Sequence, residues 1–187
     1  FLATTASKTS IMIVADDPRN VLEVVRLVTG SIRLESNPDQ FVCYYSLWHP
    51  KYADTGQYPQ YAHILPEVAR LSEGLSFKHH GQLSTDALAR RCDITVGAFT
   101  TPLRIAIHQG KRAVSAWGPV AAKLHREECQ LAIYPLAEMG VVPTLTEPKP
   151  FSSFNWAKYD AAGREWARQS QFRPEVGVAA ILDLVKQ

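Results

Sequence analysis

Apolar residues follow two different patterns along the first part of the chain. Residues 11–15 and 41–47 are short, nearly continuous apolar runs, typical of strands that are covered on both faces of a parallel sheet. Between these runs, valines recur at positions 21, 24, 25 and 28, which is the spacing of one helix face. We expect a helix there that stops at Gly30, because glycine commonly ends helices.

The same alternation continues to the end of the chain. It predicts strands over 75–78, 93–98, 112–117 and 141–145, and helices over 63–71, 84–91, 102–109, 120–130 and 174–186, with one further helix before the last. Ser84 is the predicted N-cap of its helix, and the proline within 141–145 marks an edge strand. The order predicts the α/β class: a three-layer Rossmann-like domain with a mainly parallel sheet flanked by helices. Ligands of such sheets bind beyond the carboxyl ends of the strands.

The turn after the strand at 93–98 is the leading candidate for an anion site. Pro102 suits the first position of a helix, and it makes Thr101 the predicted N-cap. The amides of Leu103 and Arg104 would then point outward without partners. Together with the hydroxyls of Thr100 and Thr101 and the charge of Arg104, they could hold a phosphate or diphosphate. A capped helix that binds nothing is the alternative, and this pattern alone does not decide between the two.

A family resemblance rests on the same segment. Residues 93–114 run from an Asp through an apolar strand, a turn of small and hydroxyl residues and an Ala-containing helix to Gly-Lys before the next strand. This pattern, with the helix-like 83–92 before it and the His49-Pro50 pair after an earlier strand, resembles GT-B glycosyltransferases and nucleotide-sugar 2-epimerases. The resemblance implies the C-terminal, donor-binding half of a two-domain protein, with the turn and helix start holding the nucleotide diphosphate.

The chain departs from that family at one point. Many members place a glutamate on this helix to bind the ribose hydroxyls, whereas Arg104 and Ile105 stand here. The pairing of His-Pro with Ser/Thr also resembles bacterial sialyltransferases and capsule or teichoic-acid polymerases that use cytidine nucleotides. The donor base therefore stays open between UDP and CMP or CDP. A nucleotide-sugar epimerase half and a non-catalytic binding or interaction domain are the alternative functions.

Polar residues at two other predicted strand ends complete the candidate set. His49 and Lys51 follow the strand at 41–47, where they could meet a phosphate or act as an acid, or be surface residues beside a turn. His80 follows the next strand and could contact a base. The predicted substrate-binding residues are Thr100, Thr101, Arg104, His49, Lys51, His80 and Phe99. No metal or other cofactor is expected, since the paired histidines lack Cys or carboxylate partners at ligand spacing.

Composition narrows the class of protein. The chain has 187 residues and begins at Phe1, and we expect a single domain over 1–187 whose N-terminal partner domain is missing. In GT-B enzymes the catalytic base generally comes from that other domain, so no catalytic residue is assigned and the isolated domain is not expected to be active. A net charge of +2 argues against nucleic acid as a partner. Three widely spaced cysteines favour a reducing, cytoplasmic compartment. Any membrane association would come through the missing part.

Overall fold

A computed structural model describes residues 8–15, 17–47, 59–79, 84–98, 101–129 and 135–170. Within these ranges, six strands form one sheet: β1 (Thr9–Ala15), β2 (Phe41–Leu47), β3 (Phe77–His79), β4 (Ile94–Gly97), β5 (Arg112–Ala116) and β6 (Thr144–Leu145). All neighbouring pairs are parallel, and the order across the sheet is β3-β2-β1-β4-β5-β6. The predicted three-layer Rossmann-like class with a parallel sheet is confirmed.

Helices connect and cover the strands. The described helices are α1 (Val21–Arg33), α2 (Ile64–Leu71), α3 (Thr85–Arg91), α4 (Thr101–His108), α5 (Pro119–Leu124), α6 (Pro135–Glu138) and α7 (Trp156–Gln169). A π-helical turn over His125–Cys129 extends α5, and short 3-10 turns lie at Pro38–Gln40, Pro59–Tyr61 and Phe151–Ser153. None of the helices in the described ranges combines the length and the hydrophobicity of a transmembrane segment.

Side chains of β1 point alternately into two layers of core. Ile11 and Ile13 pack with the valines of α1, whereas Met12 and Val14 pack with Leu88 of α3. Both faces of the strand are therefore covered, which is why its sequence is continuously apolar rather than alternating. The burial of these four side chains is complete or nearly so.

The end of α1 differs from the prediction. Gly30 does not stop the helix, which continues to Arg33. A Cβ atom on Gly30 would stand 2.8 Å from Cγ of Pro148, so the missing side chain makes room for the segment that follows β6. The same segment is fixed by Glu35, whose buried carboxylate accepts hydrogen bonds from the backbone N–H and the hydroxyl of Ser152 at 3.0 and 2.7 Å.

Several other predictions can be compared directly. Ser84 caps α3 by accepting a hydrogen bond from the Ala87 amide at 3.2 Å, as expected. The edge position of β6 is also confirmed, although the strand has only two residues. The helix predicted at 102–109 begins one residue earlier, at Thr101. The helix predicted at 174–186 lies outside the described residues.

Candidate functional site

The order in which successive strands join the sheet changes direction between β1 and β4. From β1 the chain adds β2 and β3 on one side, and then returns to place β4, β5 and β6 on the other. β1 and β4 pair directly, with Val14 opposite Gly97 near their carboxyl ends. In open α/β sheets this switch point leaves a crevice beyond the carboxyl ends, because the two connections leave in opposite directions. The start of α4 stands at that point.

Of the seven predicted substrate-binding residues, two lie in the described part of the chain. Thr101 and Arg104 lie in α4, and both are exposed. Thr100, Phe99, His49, Lys51 and His80 fall outside the described residues, so their roles stay predictions. Because α4 begins at Thr101 rather than Pro102, the amides without an intrahelical acceptor are those of Thr101 and Leu103, and proline has none.

Packing orients the side chains of α4. Leu103, Ala106 and Ile107 are buried, as the helical spacing predicts, and Arg104 stays exposed. Ile105 is partly buried against the core layer of Met12, so it does not offer a polar group to a ligand. Arg104 therefore is the residue of that pair that could replace the missing glutamate. It makes no ion pair with any residue of the described ranges.

Glu23 occupies the start of α5 at the same edge of the sheet. Its carboxylate oxygens accept hydrogen bonds from the amides of Val120 and Ala121 at 2.7 and 2.8 Å. The protein thus supplies its own anion to this helix start, where the helix dipole and free amides favour negative charge. Sequence reasoning missed this contact. The only local signal was Glu23 in the first turn of α1, which suits the dipole of its own helix equally well.

The loop before α1 has a different character. Asn20 is the N-cap residue of α1 but makes no side-chain capping bond, and its buried Oδ1 has no hydrogen-bond partner within the described part of the chain. Beside it, Arg19 Nε donates to Asp17 at 2.9 Å. Burial would raise the pKa of Asp17, but the hydrogen bonds and charge of Arg19 outweigh it and hold that pKa below its ordinary value of 3.8. Asp17 is therefore an ionised partner of Arg19.

Asp93 is the first residue of the segment 93–114 that carries the family resemblance. It lies at the amino ends of the strands, opposite to the start of α4. Its carboxylate accepts hydrogen bonds from the backbone N–H and the hydroxyl of Ser10 at 2.9 and 2.7 Å, and Nζ of Lys111 lies 3.7 Å away. These contacts join the second residue of β1 to the residue that precedes β4. Within this structure Asp93 is a structural residue, far along the strand from the β4–α4 turn.

A cavity lies at the amino ends of the strands rather than at the predicted site. Its volume is about 500 Å³, and its walls come from the starts of β1, β4 and β5 and from α7. Residues 48–58, 80–83 and 99–100, which follow β2, β3 and β4, lie outside the described residues.

Solved structures share this fold. The C-terminal domain of a glycosyl transferase group 1 family protein (LpcC) from Francisella tularensis matches with a TM-score of 0.51 and 13% identity, over 88% of this chain and 86% of that one. An alpha,alpha-trehalose-phosphate synthase (UDP-forming) from Burkholderia vietnamiensis matches with a TM-score of 0.55 and 13% identity, over 85% of this chain. The glycosyltransferase SnogD from Streptomyces nogalater matches with a TM-score of 0.51 and 10% identity, over 97% of this chain.

The matched structures differ from this chain in length and in sequence. The chain spans 38% of the synthase and 45% of SnogD, whereas it covers most of the isolated LpcC domain. No protein-family model matches the sequence, and a search of the curated proteins finds no match. At identities of 10 to 13% the likeness concerns the fold alone. The chain therefore has the fold of the C-terminal domains of GT-B glycosyltransferases, and the resemblance seen in its sequence is confirmed at that level.

Proposed function

We propose that this chain binds the nucleotide and phosphate part of an activated sugar donor at the carboxyl edge where β1 and β4 lie side by side. One observation carries the proposal: the start of α4, with the exposed Arg104, stands at the switch point of a sheet whose fold is that of GT-B donor-binding domains. Ligands of such sheets bind at that point.

The helix starts at this edge narrow the position of the phosphates. The start of α5 already holds the Glu23 carboxylate, and the start of α3 is capped by Ser84. The starts of α1, α2 and α4 remain, and those of α1 and α4 follow the two strands that meet at the switch point. A diphosphate between them would accept hydrogen bonds from the amides of Thr101 and Leu103 and would be attracted by the charge of Arg104.

Two observations bear on the base of the donor nucleotide. One structure that shares the fold is a UDP-forming synthase, which supports a uridine nucleotide. The missing ribose-binding glutamate, which the resemblance places near Arg104, argues against an ordinary uridine donor. The pairing of His49-Pro50 with Ser/Thr, which resembles enzymes that use cytidine nucleotides, supports a CMP- or CDP-type donor instead. Ile105 does not restore the carboxylate, since it is apolar and partly buried. We therefore infer a pyrimidine nucleotide.

Catalysis would need a second domain. The chain spans 38% of the synthase and 45% of SnogD, and we propose that an N-terminal domain supplies the acceptor site and the catalytic base. Residues 1–187 would then form one donor-binding domain that binds without turnover. A nucleotide-sugar epimerase half would share the same site and differ in its product.

A nucleotide panel tests the proposal. The 187-residue chain is titrated by calorimetry with UDP, CDP, CMP, GDP and ADP, and the bound nucleotide is located by amide chemical shifts in nuclear magnetic resonance spectra. We expect a pyrimidine nucleotide to bind and to move the amide signals of Thr101 and Leu103. No response to any nucleotide would contradict the proposal and favour the non-catalytic binding domain. Binding that leaves those two amides unmoved would place the site elsewhere.

A further inference from the structure

A polar cavity opens at the amino edge of the sheet, opposite to the proposed donor site. Its volume of about 500 Å³ falls in the range of roughly 300 to 1,000 Å³ that is usual for small-molecule sites. The first residues of β1, β4 and β5 form its floor, and the turn between α4 and β5 forms one rim. Nothing in the proposed donor binding uses this cavity.

One face of α7 forms the opposite wall. The residues that line the cavity recur at helical spacing along that helix: Trp156, Tyr159, Asp160, Gly163 and Arg164. α7 is held against α4, because a Cβ on Gly163 would lie 3.3 Å from Cγ2 of Ile107 and the His108 and Trp166 rings lie 5.1 Å apart. The wall is therefore a packed helix, which gives the cavity a defined shape.

The carboxylates at the cavity already have partners. Asp93 accepts two hydrogen bonds from Ser10 and has Lys111 Nζ at 3.7 Å. Asp160 forms an ion pair with Arg112 at 3.1 Å. These two pairs cancel in charge, so they neither attract nor repel a charged ligand strongly.

Two further cations line the cavity without such partners. Lys8 and Arg164 are both exposed, and neither makes a hydrogen bond or an ion pair with the residues that the structure describes. The lining thus carries two positive charges beyond its internal ion pairs. Positive charge around a concave surface concentrates anions, because the low-dielectric walls focus the field.

The aromatic residues of the wall indicate what kind of anion fits. The Arg112 guanidinium lies 4.7 Å from the centre of the Trp156 ring, and the Phe154 ring meets the same indole edge to face at 5.3 Å. The indole N–H is also used, since it donates to the Phe151 carbonyl at 2.8 Å. Trp156 therefore offers little surface on which a nucleobase could stack, and a compact ligand fits better than a nucleotide.

We propose that the amino-edge cavity binds a compact multivalent anion, with phosphate or carboxylate groups, through Lys8 and Arg164. The Lys111–Asp93 and Arg112–Asp160 pairs would line the site and adjust to the ligand. This second site is independent of the donor site, because the two lie at opposite edges of the sheet.

Titration of the 187-residue chain with inorganic pyrophosphate and with citrate tests the inference, with sodium chloride at equal ionic strength as the reference. We expect one or both anions to move the amide signals of Thr9, Lys111 and Arg112 and the indole signal of Trp156. Response to pyrophosphate alone identifies phosphate chemistry, and response to citrate alone identifies carboxylate chemistry. Shifts confined to Thr101 and Leu103 would overturn the inference, although they would support the donor site.

Two double variants of equal net charge distinguish specific binding in the cavity from a general effect of surface charge. The double substitution Lys8→Gln and Arg164→Gln should weaken binding about 10-fold or more, because both unpaired cations are lost. The matched control, Lys78→Gln with Arg91→Gln, removes the same charges from exposed positions outside the cavity and should leave affinity unchanged. Equal affinity of the two double variants, or shifts that sodium chloride reproduces, would overturn the proposal.

Discussion

Gly118 lies so close to Glu23 that a Cβ atom on the glycine would stand 2.4 Å from Cδ of the carboxylate. The backbone of Gly118 has φ of −81°, which any residue can adopt. Space rather than backbone conformation therefore requires glycine here. The missing side chain lets Glu23 reach the amides at the start of α5.

Gly118→Ala should lower the free energy of unfolding by about 1 to 3 kcal/mol. The added methyl group displaces the carboxylate, and the two charge-assisted hydrogen bonds to the amides of Val120 and Ala121 are lost. Urea denaturation measures the change as a lower midpoint at unchanged slope. Glu127→Gln, at an exposed position with one ion pair at 4.0 Å, is the control and should change stability by less than about 0.5 kcal/mol. Wild-type stability of Gly118→Ala would show that the Glu23 contact contributes little.

Thr95→Val should leave stability unchanged or raise it by up to about 1 kcal/mol. Thr95 is fully buried in β4, and its Oγ1 has no hydrogen-bond partner among the described residues. Replacing a buried unpartnered hydroxyl with a methyl group of the same shape removes a desolvation cost. Thr29→Val is the matched control and should destabilise, since the buried Thr29 hydroxyl donates to the Val25 carbonyl at 2.9 Å. Thermal or urea unfolding of both variants measures the difference, and a clear loss in Thr95→Val would reveal a partner for that hydroxyl.

Asp93 should make stability depend on pH in the acid range. Burial raises the pKa of Asp93, but the hydrogen bonds from Ser10 and the charge of Lys111 outweigh it, so the folded-state pKa lies below the ordinary value of 3.8. A lowered folded-state pKa means that the contribution is complete above the unfolded-state pKa and is lost as the pH falls through the folded-state pKa.

Asp93→Asn should therefore flatten the fall of the unfolding free energy below about pH 4, the region of the unperturbed carboxyl pKa. Urea midpoints measured from pH 6 downward compare the variant with wild type. Asp39→Asn, at an exposed position without a hydrogen bond to the described residues, serves as the control. An identical pH profile for wild type and Asp93→Asn would contradict the assignment.

The order of elements could be predicted from the sequence because it depends on local periodicity. The continuous apolar run of β1 reports burial on both faces, and the spacing of valines in α1 reports one buried stripe. The end of a helix was harder to predict where a residue distant in sequence determines it. Gly30 has the local character of a helix stop, yet it lies inside α1 because Pro148, far along the chain, packs against it.

The position of the candidate donor site was predictable from the sequence to a similar extent. The start of α4 follows from Pro102 and from the alternation of elements, and its position at the switch point follows from the order of the sheet. The contact of Glu23 with α5 was not predictable from the sequence. Val120 and Ala121 lie 97 and 98 positions after Glu23 in the chain, and they meet it only because α1 and α5 pack at the same end of the sheet. The amino-edge cavity was missed for the same reason, since α7 reaches the starts of β1, β4 and β5 only in the folded chain.

Substitutions in α4 should lower nucleotide affinity to different extents. Arg104→Ala should weaken binding about 10-fold, the lower end for a charge-assisted hydrogen bond, because the side chain is exposed and screened by solvent. Thr101→Ala should cost about fivefold, since a neutral hydroxyl contributes around 1 kcal/mol. Arg90→Ala, an exposed arginine near the end of α3, is the control and should bind as wild type does. Calorimetric titration with the nucleotide that binds most tightly measures all three. If Arg104→Ala binds like the control while His49→Ala abolishes binding, the phosphates lie beside the loop after β2, and the start of α4 is not their site.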